Sequence, residues 1–382
     1  MAITPRDCAI CDNFTTIVLE CGEMPLANGY AVPDMRVPLN VWHCAACDLY
    51  QLGDLVAPDT LFTDYAYRTN QTAQRLVWRE LGDAIYRRRL AQNNLLTNLI
   101  VDVGGNDGAL LGQLKSHARL LLNIDPYAPE QVGEAIVLRE PWNTATAISV
   151  AAEHGLANFI TATNVFAHIP DAHASANAIA TLLDVDGWAV IQSPWHRDLW
   201  LYNEFDTIYH EHVYYWGVRA MRALFQRHHM DVHDVEYLPN VHGGSLRYWI
   251  RHGNDGITDA VTRFADMEES VVPLALQSSY DAWAHGHHRE WEKNRQHALA
   301  LGAPAKAIMY WAMTNTAQYV SRVFDDTPAK QGKRVPGTSL TVEPFSEFPH
   351  QGITDPVIAM AWNHKAALTK RVRELGYLGP VL

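Results

Sequence analysis

The segment Phe205-Asp206-Thr207-Ile208-Tyr209-His210-Glu211-His212 places a phenol, two imidazoles and a carboxylate at four consecutive positions. These are proton-moving groups. Imidazole titrates near neutrality and suits general-base work, and a phenol can donate a hydrogen bond to a developing oxyanion. A metal reading of His210-Glu211-His212 fails on spacing, because the zinc-protease pattern needs two histidines four apart on one helical face. His210 is expected to point into structure.

A second constellation lies near the start, in Cys8-Ala9-Ile10-Cys11 and Cys44-Ala45-Ala46-Cys47. Two CxxC pairs separated by a loop supply four thiolates, the donor set of a tetrahedral Zn²⁺ site. Four protein ligands leave no position for substrate, so the expected zinc is structural. Cys21, the fifth cysteine, is expected in the core. The segment lacks the basic clusters of a nucleic-acid zinc ribbon.

Such groups need a scaffold, and 382 residues suffice for two or three domains with cores of their own. Hydrophobic residues make up 48% and charged residues 19%, which argues for a globular chain, and no apolar run reaches the ~18–20 residues of a membrane span. The N-terminal stretch has no apolar signal-peptide core, so a cytoplasmic setting with reduced thiols is expected. A net charge of −12 disfavours nucleic acid and anionic membranes as partners, and any anionic ligand must meet a local basic site.

Residues 72–99 carry apolar positions at helical spacing. A short buried strand (Leu99–Val103), the turn Gly104-Gly105-Asn106-Asp107-Gly108, a helix, and a second strand ending in Asp125-Pro126 then read as the opening of a doubly wound parallel sheet. The turn fits the dinucleotide pattern GxGxxG poorly. S-adenosylmethionine (SAM) has no phosphate to cradle and needs close backbone approach together with a carboxylate after the second strand to accept from the ribose hydroxyls. Gly104, Asn106, Asp107, Asp125 and Pro126 are therefore candidate cofactor residues, with Asn164 and Phe166 on the loop after a later strand. The expected architecture is α/β: a zinc-binding module over 1–70, a Rossmann-like SAM domain over 71–255, and a smaller Rossmann-like α/β domain over 256–382 that binds substrate.

The ordered motifs CxxC…CxxC, "VDVGGNDGALL", "NVFAHIPD", "FDTIYHEH…HGGSLR" and "GAPAK…KQGK…PGT…AWN" resemble the zinc-containing, SAM-dependent sugar C-methyltransferases across nearly the whole chain. That family methylates C-3 of thymidine-diphosphate-linked 4-keto-deoxysugars in antibiotic biosynthesis. The resemblance implies His212 as general base, Tyr209 and Glu211 as its partners, His168 close to the sugar and Tyr67 on a tyrosine-rich loop. It also implies a nucleotide site from His242, Arg247, Lys306, Lys330 and Asn363, in a monomer or homodimer. Two stretches depart from the family pattern, Ala307-Ile308 after GAPAK and Gln192-Ser193-Pro194-Trp195 ahead of the histidine segment.

The chemistry is consistent with the residues. Forming a C–C bond with a sulfonium methyl needs a carbon nucleophile, and the accessible one is the carbon beside a ketone, deprotonated to an enolate. A base and an oxyanion donor are required. Trp195, Trp200, Tyr214, Tyr215 and Trp216 around the site keep open the same chemistry on a keto-acid or ketide. The other readings are a nicotinamide oxidoreductase and a catalytically silent binding protein.

Overall fold

The computed structural model describes residues 7–61, 72–91, 97–295, 297–349 and 352–382. The N-terminal module is a small antiparallel sheet of β1 (Thr16–Pro25), β2 (Arg36–Cys44) and β3 (Leu49–Leu52). β1 alternates buried Leu19 and Cys21 with exposed Glu20, the period-two pattern of a sheet with one covered face. The tight β2–β3 turn holds Cys44 and Cys47, and it closes with Asp48 in the left-handed region (φ 62).

A seven-stranded sheet fills the centre. Five strands run parallel: β4 (Thr97–Val103), β5 (Ala118–Ile124), β6 (Ile136–Leu138), β7 (Ala157–Thr163) and β8 (Leu183–Pro194). The strand β9 (Tyr214–Tyr215) leaves this domain to pair with β3, Tyr215 against Tyr50, so the residues just after His212 anchor the N-terminal module. β10 (Met230–Leu238) and β11 (Ser245–His252) return as a hairpin, β11 antiparallel to β8. The order is β10-β11-β8-β7-β4-β5-β6, so the chain reverses direction of travel between β4 and β7. In open α/β sheets ligands bind beyond the carboxyl ends of the strands at such a switch point. This is a doubly wound, Rossmann-like sheet.

The last unit is a four-stranded parallel sheet of β12 (Ala298–Leu301), β13 (Val320–Phe324), β14 (Val342–Glu343) and β15 (Val357–Ala359), in the order β14-β13-β12-β15. A long helix, Leu276–Asn294, leads into it. Its helix Ala305–Thr314 starts after Pro304, which needs no N–H at that position, and packs on the turn Phe205–Thr207. No helix among the described residues is long and apolar enough to cross a membrane.

The aromatic residues around the histidine segment fill cores. Trp195, Trp200, Tyr214, Tyr215 and Trp216 are all nearly inaccessible, with Trp195 donating to Glu268 (2.8 Å) and Tyr214 to the Pro170 carbonyl (2.6 Å). An aromatic-walled substrate pocket therefore finds no support in them.

Candidate active site

The turn after β4 is built from residues in the left-handed region: Gly104 (φ 65), Asn106 (φ 47) and Gly108 (φ 70). Glycine is required at the first and last, where a Cβ would collide with Val165 and Val132 respectively. Asp125, at the end of β5, holds the turn: its carboxylate accepts from the amides of Asn106 (2.9 Å) and Tyr127 (2.7 Å). Asp107 accepts from the Ala109 amide (3.3 Å), ordinary turn chemistry. Pro126 is exposed beside it. Beneath the turn Asp102 is buried, accepts from Thr161 (2.7 Å), and is pushed up to about 7 by desolvation.

The loop after β7 reaches this turn. Asn164 (φ 56) donates its amide to Gln192 O (2.8 Å) while its buried side-chain oxygen accepts no hydrogen bond, and Val165 lies against Gly104. An unsatisfied acceptor at the switch point fits a ligand rich in donors, as the ammonium and ribose hydroxyls of SAM are. Phe166 does not share this position. It packs in the core against Trp216 and Phe225, because the loop turns its apolar side chain inward.

Three residues beyond Val165, at most about 11 Å along the chain, His168 packs edge-on against His212, with ring centroids 4.8 Å apart. The same loop accepts the Val213 amide on Ala167 O (2.8 Å), which fixes the histidine segment to it. His212 Nδ1 lies 2.9 Å from the Thr207 carbonyl, which can only accept, so Nδ1 carries the proton and Nε2 presents its lone pair. Tyr209 donates its hydroxyl to that Nε2 at 2.7 Å. Burial, with the Lys306 charge adding to it, holds His212 well below the ordinary imidazole range, and burial takes His168 down to about 4. Both rings are neutral at pH 7.

Glu211 does not touch His212. It accepts from Asn28 Nδ2 of the N-terminal module (2.7 Å), and burial raises it to about 7. His210 turns away, its Nε2 3.2 Å from the carbonyls of Val37 and Pro38. The segment is a 3₁₀ turn followed by a further turn, and that geometry separates two rings that a strand would set on one face.

Lys306 and His242 are brought together. Lys306 Nζ is buried without a hydrogen bond, 3.8 Å from Glu204 Oε2 and 4.6 Å over the Trp362 ring. His242 is held to about 4 by burial and then by the Lys306 charge. Lys330 instead donates to Ala303 O (2.9 Å) and lies 3.8 Å from Asp325. Arg247 is a correction to the nucleotide site. It is 2% exposed in the sheet, bonded to Glu236 (2.8 Å) and Gln192 (3.2 Å), its cross-strand neighbours, so its guanidinium neutralises a carboxylate inside the fold. Tyr67 and the side chain of Asn363 lie outside the described residues.

Residues 74–235 match the family described as a methyltransferase domain, and residues 240–379 match the C-methyltransferase C-terminal domain. C-methyltransferase NovU of Streptomyces niveus is 27% identical over 395 residues, covering 96% of this chain and 92% of its own. The chain is a SAM-dependent C-methyltransferase. A SAM-dependent methyltransferase from Clostridium acetobutylicum overlaps 46% of this C-methyltransferase and 92% of its own chain, with a TM-score of 0.37 and 10% identity. Magnesium protoporphyrin IX methyltransferase from Synechocystis PCC 6803, with bound SAM, overlaps 49% and 86%, with a TM-score of 0.34 and 15% identity.

In this C-methyltransferase the sulfurs of Cys8, Cys11, Cys44 and Cys47 lie within 4.8 Å of one another, with Cys8–Cys47 at 3.5 Å and Cys11–Cys44 at 3.4 Å. Zn–S bonds of about 2.3 Å in a tetrahedron put sulfurs about 3.8 Å apart, so the set fits zinc. The crowding shows in the thiols: the bond from Cys47 takes Cys8 down to about 5, and burial takes Cys44 up to about 11. Glu204, Asn28 and Asp102 carried no motif. Only the fold brings Asn28 to Glu211 across 183 positions.

Proposed function

We propose that this C-methyltransferase acts on the carbon beside the ketone of a thymidine-diphosphate-linked 4-keto-deoxysugar. The observation that carries the reading is the Tyr209–His212 pair, a neutral imidazole whose free nitrogen receives a phenol proton at 2.7 Å. Swinging the phenol from Nε2 to the substrate oxygen exposes the base and supplies the oxyanion donor in one motion. His212 Nε2 takes the α-proton, and the electron pair moves into the ketone as an enolate hydrogen-bonded by Tyr209. SAM supplies the methyl group that the enolate carbon accepts. His168, packed edge-on against His212, helps keep water from the base.

Lys306, with an amine that makes no hydrogen bond, serves as the cation for the pyrophosphate, with His242 beside it. In this reading residues 1–70 form the zinc module, 71–255 bind SAM, and 256–382 bind the nucleotide, with Zn²⁺ purely structural in a reducing cytoplasm. The N-terminal module supplies Asn28 to Glu211, which would present a sugar hydroxyl acceptor. Gly104, Asn106 and Asp125 position the methyl donor, with Asn164 accepting from it.

The test is methyl transfer from labelled SAM to a panel of thymidine-diphosphate 4-keto-deoxysugars, aryl keto-acids and ketide thioesters. A product heavier by one methylene from the sugars alone supports the reading. Turnover confined to the acids or thioesters overturns the sugar assignment.

A further inference from the structure

Among the described residues a second cluster also brings its donor atoms within 4.8 Å of one another: Asp48, His196 and Glu268. It lies apart from the histidine segment, where three units meet. Asp48 follows Cys47 directly, His196 opens the short helix after β8, and Glu268 follows the helix Asp259–Met267. His196 is fully buried, and neither of its ring nitrogens has a hydrogen-bond partner. A buried imidazole with both nitrogens unsatisfied is costly, and its surroundings give the reason to expect a missing partner.

His196 Nε2 is 3.7 Å from Asp48 Oδ2 and 3.7 Å from Glu268 Oε1, too far for a hydrogen bond to either. Around a divalent ion with bonds of about 2.0–2.1 Å, tetrahedral donor atoms stand about 3.3–3.4 Å apart, so each of these two His196 distances exceeds that spacing by only a few tenths of an ångström. Both carboxylates are fixed by neighbours. His43 Nε2 bonds Asp48 Oδ1 at 2.8 Å, leaving Oδ2 for the centre, while Trp195 Nε1 (2.8 Å) and the Val218 amide (2.6 Å) both donate to Glu268 Oε1, so Oε2, which accepts from the Arg219 amide at 3.3 Å, is its less committed oxygen. A Cβ on Gly217 would collide with both His196 Nε2 and Glu268, so only glycine leaves this space open. Two carboxylates face one imidazole here, and the Arg219 guanidinium, which bonds Glu269 at 2.6 Å, also feels the charges of Asp48 and Glu268.

We infer that Asp48, His196 and Glu268 form a second divalent-metal site, distinct from the four cysteines, that takes Zn²⁺ or a similar first-row ion and ties the zinc module to the methyltransferase domain. One imidazole and two carboxylates suit borderline ions, and a water completes the coordination.

The test is metal stoichiometry on the full chain, loaded with excess zinc, gel-filtered and measured by plasma mass spectrometry, with a parallel cobalt spectrum. The wild type is expected to hold two equivalents. Asp48→Asn and His196→Ala should each hold one, with the sulfur-to-cobalt charge-transfer band unchanged and weak non-sulfur d–d absorption lost. Asp48→Asn decides the matter if His196→Ala fails to fold, since Asp48 is partly exposed and asparagine can keep the His43 bond. One equivalent in the wild type, or two in Asp48→Asn, overturns the assignment.

Discussion

Tyr209 Oη donates to His212 Nε2 at 2.7 Å, on the one nitrogen that the bond to Thr207 O leaves with a lone pair. In the proposed enolate mechanism the phenol thus covers the base in the free enzyme. Tyr209→Phe uncovers it while deleting the oxyanion donor, so kcat should fall about 10²–10³-fold with little change in the KM for SAM. Steady-state kinetics on both substrates checks this. A kcat within twofold of wild type would place the oxyanion donor elsewhere.

The acid limb of the pH profile should report Glu211 before His212. Burial raises Glu211 to about 7, so on acidification it takes up a proton there and would lose the capacity to accept from the proposed sugar. His212, held well below the ordinary range, remains an available base through the same interval. In Glu211→Gln the limb in kcat/KM should move to lower pH, toward the His212 titration. A limb that stays near 7 in that variant would assign it to another group.

Lys306 and Glu204 face each other at 3.8 Å, and Glu204 is raised to about 7 by burial against the Lys306 pull. Lys306→Met should raise the KM for the nucleotide-linked substrate roughly 10–100-fold and leave S-adenosylhomocysteine affinity unchanged, the signature of lost ground-state binding. Calorimetry with thymidine diphosphate provides an independent readout. Unaltered affinity for that diphosphate would remove Lys306 from the nucleotide site.

Gly104 sits at φ 65 with Val165 against it. Gly104→Ala places a Cβ in a left-handed position and forces the two switch-point loops apart, at a cost of about 1–2 kcal/mol or more. S-adenosylhomocysteine binding should weaken at least about tenfold, since a 1.4 kcal/mol penalty corresponds to that factor. Titration calorimetry measures it.

Much of this was legible in the residues. The CxxC pairs announced their cluster because thiolate spacing is local. The strand–turn–helix around Gly104 followed from an apolar run broken by glycine. The paired strands of the N-terminal module were not evident, since β1 carries irregular pairing and its apolar alternation is interrupted by Gly22 and Glu23. Long-range partners were also hidden. Glu211 looked like a neighbour of His212, yet the turn directs it to Asn28, while the carbonyl of Thr207 orients the base. Arg247 read as a ligand-binding cation, but strand register sets it opposite Glu236 and Gln192. Charge and spacing in sequence do not reveal which carboxylate a buried arginine already holds.

The most direct test of the central claim is α-hydrogen exchange, followed by NMR on a thymidine-diphosphate 4-keto-deoxysugar in deuterated water with S-adenosylhomocysteine in place of the methyl donor. The wild type should wash deuterium into the carbon beside the ketone, and His212→Asn should slow that exchange by at least about 10². Exchange at the wild-type rate in His212→Asn would contradict the assignment of His212 as the base.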